Sequence, residues 1–359
     1  MNEAEARLHY PLGETLPTTT QALDVAPGVK WIRMALPFAL NHINLWLLRD
    51  RLEVDGHMTE GWTIVDCCID APSSREQWQH LFDHELEGLP VLRVLVTHMH
   101  PDHVGLAHWL VDHWSTPSYD CPLWMSGLDF AMAHIGSAGG TGFGGNDAAA
   151  FFAMHGLNNP DDVAKVRARE NYYGSLVPRM PKAHTRLFDG LMVRIGAHQW
   201  RCMVGYGHAP EHMALYCSEL DVLIGGDMML PRISTNVSVY ASEPESNPLQ
   251  LFLDSLDRMR ALPDSVLILP SHGKPFKGLH ERINQLVAHH QDRLAEVLQA
   301  CRERPLNAAQ VLPVLFKRAL DLHQTTFAMG ESVAHLHLLW FEGKLRRFKQ
   351  DDVWLWQAT

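Results

Sequence analysis

The apolar positions of this chain fall into short β-branched runs separated by amphipathic stretches spaced three and four apart. Runs at 29–33, 41–50 and 61–66 read as strands, the last two joined by a polar turn at Asp55-Gly56. Residues 73–89 read as a helix, with Ser74 as N-cap and Trp78, Leu81, Phe82 and Leu86 on one face. Residues 91–96 are almost continuously apolar, the pattern of a strand covered on both faces. Further strands are expected at 122–125, 186–188, 191–195, 199–204, 221–227 and 266–269. Helices are expected at 148–155, at 161–172 with Asn159 or Asp161 as cap, and at 248–262, 279–301, 308–320 and 325–345. Residues 346–357 can close a small hairpin around 349–352. Residues 1–25 are polar and read as an irregular arm.

Chemistry gathers where the strand at 91–96 stops. His98, His100, Asp102 and His103 place four ligand-type side chains within six positions, and Pro101 bars the strand from continuing. His98 and His100 sit two apart, so on extended backbone their rings point the same way. Asp102 and His103 can turn toward a second point about 3.5–4 Å away, the usual spacing of two-metal sites. Imidazole and carboxylate are donors that zinc and similar divalent ions accept. The same design, a buried strand followed by Gly or Pro and then a polar residue, recurs at His208, Asp227 and His272.

The run His98-x-His100-x-Asp102-His103 resembles the signature of the metallo-β-lactamase superfamily. Gly207-His208-Ala209-Pro210-Glu211-His212 resembles that family's second histidine turn, with Glu211 where glycine is common. Gly225-Gly226-Asp227 and Ser271-His272-Gly273 match its remaining strand ends. The resemblance implies an α/β fold, a four-layer αβ/βα sandwich with a dinuclear metal site at one edge. It implies that His98, His100 and His208 hold one metal, that Asp102, His103 and His272 hold the other, and that Asp227 bridges. Zinc is the first choice, with iron or manganese as alternatives. A hydroxide between the two ions would be the nucleophile, since bound zinc lowers the pKa of water to about 7, and Asp102 could orient it or carry a proton. Asp66 matches the family's strand-end aspartate and His212 its second histidine, both supporting ligands from outside. Cys67-Cys68 follow Asp66 where the family often has Thr-Gly, so Asp70 competes for that role.

Around this centre, residues 26–302 are expected to form the catalytic domain. A glycine-rich link opens an insertion at 135–182 that reads as a lid or as a plain surface excursion, with Tyr172, Tyr173 and His184 as candidate substrate contacts. Arg232 and Asn236, just beyond Asp227, could grip an anionic or carbonyl group or serve structure alone. Residues 303–359 resemble the small helical, winged-helix-like tail of some superfamily members. Mixed charge there, including Glu331 and Glu342, favours a packing or homodimerisation module over a DNA reader.

Composition narrows the activity. A net charge of −11 argues against a general nucleic-acid binder. Six cysteines without framework spacing, no apolar leader and no membrane-length apolar run point to a reduced cytoplasmic protein. With an aspartate at the bridging position, the ligand set resembles glyoxalase II-like thioesterases, lactonases and an RNA-processing branch. The expected activity is metal-dependent hydrolysis of a small-molecule thioester, ester or lactone, with single-stranded RNA cleavage as the alternative and a non-catalytic binding protein as the third reading.

Overall fold

The structure, a computed structural model, describes residues 4–139 and 144–359. Residues 140–143, part of the glycine-rich link, lie outside the described residues.

Seven strands form the first sheet in chain order: β1 (Ala22–Ala26), β2 (Val29–Ala35), β3 (His42–Val54), β4 (His57–Val65), β5 (Val91–Leu95), β6 (Leu123–Ser126) and β7 (Thr185–Leu187). The first four are an antiparallel meander, and β4 to β7 run parallel. The β3–β4 turn holds Asp55 and Gly56, both at positive φ (53° and 75°), as the tightest hairpins require. The second sheet has five strands: β8 (Met192–Ile195), β9 (His198–Gly205), β10 (His212–Cys217), β11 (Val222–Gly226) and β12 (Leu267–Pro270), in the order β12-β11-β10-β9-β8. Only β11 and β12 pair in parallel there. β13 (Leu345–Gln350) and β14 (Val353–Ala358) close the expected hairpin, turning at Asp351 and Asp352, both at positive φ.

Helices cover the outer faces. In chain order they are α1 (Pro72–His84), α2 (Pro101–Val104), α3 (Ala107–Trp114), α4 (Gly127–Ser137), α5 (Gly145–Met154) and α6 (Pro160–Arg167). Then come α7 (Tyr172–Leu176), α8 (Pro248–Met259), α9 (Leu279–Glu303), α10 (Ala308–Leu315) and α11 (Leu322–Phe341). Trp31, Trp46, Trp200, Met213 and Ile224 pack between the sheets, and Trp31 lies over Trp46 with ring centres 6.2 Å apart. Trp78 and Leu81 of α1 and Leu110 of α3 cover the first sheet. Phe252 of α8, Ile283 of α9, Val333 of α11 and Trp356 of the hairpin share one core on the second. Two helical layers around two sheets make the αβ/βα sandwich.

Several local expectations need correction. Among the described residues, 4–25 are less irregular than expected. They contain a 3-10 turn (Glu5–Arg7) and most of the edge strand β1, and His9 pairs with Lys277. β1 is short and alanine-rich, so its only strong signal is the partner strand. Ser74 does not cap α1; Pro72 opens that helix, and Ser74 is buried beside Cys68 Sγ. The stretch 161–172 breaks into α6, capped by Asn159, and the separate short α7. Within the insertion, Ala148, Phe151, Phe152 and Val166 belong to the same core as α9 and α11. No helix among the described residues is long and apolar enough to cross a membrane.

The ligand loop is stitched to the β4 end. Cys67 N donates to His103 O (2.7 Å) and Leu106 N to Cys68 O (3.0 Å). Gly105 lies at this seam. A Cβ added there would meet Cys68 O, Ile69 Cα and Pro101 O, each at 2.7 Å. Backbone cannot yield as a flexible side chain can. Gly105→Ala is therefore expected to lower unfolding free energy by about 1–3 kcal/mol in urea titration. Wild-type stability in that variant would show that the seam is slack.

Candidate metal centre

Each candidate ligand follows a strand end. β5 ends at Leu95 and the loop with His98, His100, Asp102 and His103 follows; β9 ends at Gly205 before His208. β11 ends at Gly226 before Asp227, and β12 at Pro270 before His272. Strands supply rigid stems, and the loops aim the side chains. The seven side chains form two groups, His98, His100, His208 and Asp227, and then Asp102, His103 and His272. Within each group the donor atoms lie within 4.8 Å of one another.

Asp227 joins the groups. Its Oδ2 is 3.3 Å from His208 Nε2, while its Oδ1 is 3.6 Å from His103 Nε2 and 3.5 Å from His272 Nε2. Asp102 Oδ2 reaches His272 Nε2 at 3.4 Å and His103 Nε2 at 3.8 Å. His98 Nε2 is 2.9 Å from His100 Nδ1 and 3.2 Å from His208 Nε2.

Partners on the far sides of the rings fix what these atoms offer. His103 Nδ1 faces Asp66 Oδ2 at 2.8 Å, His208 Nδ1 faces Asn236 O at 2.7 Å, and His272 Nδ1 faces His42 O at 2.7 Å. Each partner is an acceptor, so each Nδ1 carries the proton and each Nε2 presents a lone pair inward. Among the described residues, His103 Nε2 and Asp227 Oδ1 are buried with no hydrogen-bond partner. A pocket of inward lone pairs and carboxylate oxygens is what divalent cations satisfy, so the residues present fit two metal ions.

Electrostatics agree. Burial, with neighbouring imidazoles, holds His98 well below the usual histidine range and lowers His100 to about 3. Burial also disfavours charge on His103, but Asp66, Asp102 and Asp227 outweigh it and push that ring well above its usual value. Burial would raise Asp227, yet His272 and His103 hold it well below the carboxylate range. Protons can therefore substitute for cations on one side of the centre, and metal binding competes with them.

Supporting residues separate cleanly. Asp66, at φ 65°, accepts Thr97 N (2.8 Å) and Thr97 Oγ1 besides His103. Asp70 instead forms a bidentate pair with Arg75 on the outer layer. His212 Nε2 accepts Asp227 N at 3.1 Å, which holds the backbone of Asp227. Tyr172 and Tyr173 line the cavity above the centre, and the Tyr173 hydroxyl donates to Met99 O. His184 is elsewhere, stacked on Phe130. Arg232 follows the structural one of its two readings: its side chain is 71% exposed and pairs with Glu5, outside the cavity lining. Asn236 does line the cavity.

Three contributors were not anticipated from sequence. Asn44 Nδ2 donates to Pro270 O (2.8 Å) and Gly273 O (3.0 Å), tying the His272 turn to β3. Asp129 accepts Met99 N (2.9 Å), Glu211 N (2.7 Å) and Ser126 Oγ (3.0 Å), clamping two ligand loops together. Glu331 of α11 reaches the cavity from the C-terminal region. The Ser126-x-x-Asp129 pair at a helix start was a visible capping signal; its second role was not.

With the geometry in place, the chain can be assigned to a class. It belongs to the metallo-beta-lactamase superfamily, whose family model matches residues 54–272. A second model, described as "Metallo-beta-lactamase-like, C-terminal domain", matches residues 294–359. The chain is a metallo-hydrolase of that superfamily. Its fold is similar to a beta-lactamase domain protein from Burkholderia ambifaria, 50% identical, covering 100% of both chains with a TM-score of 0.93. It is also similar to a metallo-beta-lactamase family protein from Thermus thermophilus, 29% identical over 94% of this chain and 100% of that one, TM-score 0.73. A curated relative is "Probable metallo-hydrolase YqjP" of Bacillus subtilis (strain 168), 24% identical over 324 residues, 86% of this chain and 91% of that protein.

Two outcomes are expected here. Asp66→Ala should weaken metal binding about 10–100-fold in a chelator competition while circular dichroism stays unchanged; undiminished affinity would remove Asp66 from the support of His103. Burial raises Asp129 from the ordinary 3.8 to about 6, against the pull of its donors. A folded pKa above the unfolded one means stability present below pH 3.8 and lost as pH rises through about 6. Relative to Asp129→Asn, the wild type should lose ground across that window in denaturant titrations. A pH-independent difference would show that Asp129 titrates normally.

Proposed function

We propose that this chain hydrolyses a small-molecule thioester, ester or lactone with a largely apolar acyl part. The observation that carries this reading is the cavity of about 330 Å³ that opens on the seven clustered side chains. That size suits a small ligand. Leu36, Phe38, Leu40, Leu176, Ile233 and Phe327 give it mostly apolar walls. Asp102, His100, His208, Asp227 and His272 form its polar floor.

Divalent ions held by the seven residues would supply Lewis acidity and lower the pKa of water. Zinc is the proposed occupant, because imidazole and carboxylate donors suit it. The chain's own part is positional. Asp66, Asn236 O and His42 O keep three Nε2 lone pairs turned inward. The apolar walls exclude water and present the acyl carbon to the floor. Asp102, beside His272 at the floor, is placed to hold or release a proton at its Oδ2 during attack and departure.

The lining supports a small molecule over RNA. Among the described residues it includes one arginine and no lysine: Arg318, whose Nη1 donates to Gln324 Oε1. Single-stranded RNA calls for a cationic groove with stacking platforms. All six cysteines are buried and unpaired, which supports a reducing, cytoplasmic setting.

The test is turnover by zinc-loaded protein on acyl-glutathione, acyl-coenzyme A, an acyl-homoserine lactone, p-nitrophenyl esters and a fluorescent RNA. One ester-type substrate should turn over, and Asp227→Ala should lower the rate at least about 100-fold together with metal content. Cleavage of RNA alone would replace this reading.

A further inference from the structure

Glu331 is the one carboxyl in the cavity lining, among the described residues, that stands outside the metal-type cluster. It sits in the N-terminal half of α11, so the C-terminal region delivers it to the site. Phe316, Leu320, Phe327 and Ala328 from the same region build the apolar wall around it. Its Oε2 accepts a long hydrogen bond from Asn236 Nδ2 at 3.3 Å. No other partner engages its carboxyl group among the described residues.

Asn236 has little freedom to serve it better. Its Oδ1 accepts Ser238 Oγ at 2.8 Å, and its backbone oxygen holds His208 Nδ1 at 2.7 Å. Ser238 Oγ in turn lies 3.3 Å from Phe327 O. A carboxyl half-buried in an apolar wall with one long bond costs stability, and a leucine or glutamine would fill the wall at lower cost. Burial accordingly raises this carboxyl to about 7, with only the Asn236 bond pulling it down. In an apolar cavity, a few placed polar groups set the orientation of what binds.

We propose that Glu331 is a specificity-determining residue that accepts a hydrogen bond from an N–H or O–H of the bound substrate. The cavity then takes apolar acyl compounds that carry an amide or hydroxyl donor away from the scissile bond. The metal-type cluster handles the electrophilic carbonyl, and the C-terminal wall reads the donor. This rests on the proposed hydrolysis for the bond that is cleaved, but not for the recognition of the donor.

The test uses binding rather than turnover. N-octylacetamide and N-methyl-N-octylacetamide share a tail and a carbonyl and differ by one N–H. Each is titrated into the zinc-loaded full chain by calorimetry. The wild type should bind the secondary amide about tenfold more tightly, the size of one hydrogen bond. Glu331→Leu should bind both alike, and Glu331→Gln, which keeps an acceptor oxygen, should retain part of the preference. Because the readout is a ratio within one protein, general damage to the wall moves both affinities and leaves it unchanged. Metal content of both variants should match the wild type; loss of metal would mean that Glu331 acts through Asn236 on His208, which overturns the proposal. No preference in the wild type, an undiminished preference in Glu331→Leu, or no binding of either amide would overturn it too. An amide preference with a silent ester panel would sink the proposed reaction and leave this inference standing. Ester turnover without the preference would do the reverse.

Discussion

Buried acceptors that face one another repel, and this fold concentrates them at one edge. His98 Nε2 and His208 Nε2 stand 3.2 Å apart with no donor between them that their outer partners leave available. Asp227 Oδ1 looks at two more imidazoles. Only cations or extra protons relieve such an arrangement. The high position of His103 and the low positions of His98 and His100 show how unevenly protons do so. Everything near the centre can be understood as holding these rings in place against that repulsion.

The holding is done by backbone as much as by side chains. Asp66 takes the left-handed conformation at the end of β4 and gathers Thr97 and His103 at once. Asn44 and His42 grip the turn that carries His272 from across the sandwich. Met213 N bonds Thr97 O at 2.7 Å, which ties the two sheets together beside the centre. Gly226 has no room for a side chain, because a Cβ there would fall 2.2 Å from His212 Nε2. The tryptophan-rich core between the sheets makes these strand ends stiff stems, so small loop bonds suffice to fix the donors.

The strand-end cluster of histidines and aspartates was legible because its signal is local. A buried run, a Gly or Pro and then His or Asp can be read within about ten residues, and the motif order adds the rest. Asp66 was separable from Asp70 only in space, since both follow the same strand closely and the Arg75 pair that claims Asp70 looks like ordinary helix chemistry. Arg232 stayed open between two readings for a similar reason: leaving Asp227 directly does not settle which way a side chain turns, and its partner Glu5 is far away in sequence. Glu331 and Asp129 were missed because nothing local marks them. One reads as a surface charge on an apolar helix and the other as part of a cap. Their roles exist only where α11 and α4 meet distant loops.

The C-terminal region is therefore part of the site's construction. Its helix α11 carries Val333 and Leu336 into the core over the second sheet and Glu331 into the cavity from the same few turns. Close approach makes this double use feasible. At Gly330 a Cβ would fall 2.6 Å from Ser238 Cβ, and Gly330 O accepts Val239 N at 3.1 Å. The helix thus lies directly on the segment that begins with Asn236, whose carbonyl orients His208. A shift of α11 would move the cavity wall and the anchor of a metal-facing imidazole together. The cavity wall and the imidazole cluster are linked through one short segment, and the C-terminal region that reads as a small tail in sequence is packed directly against the centre.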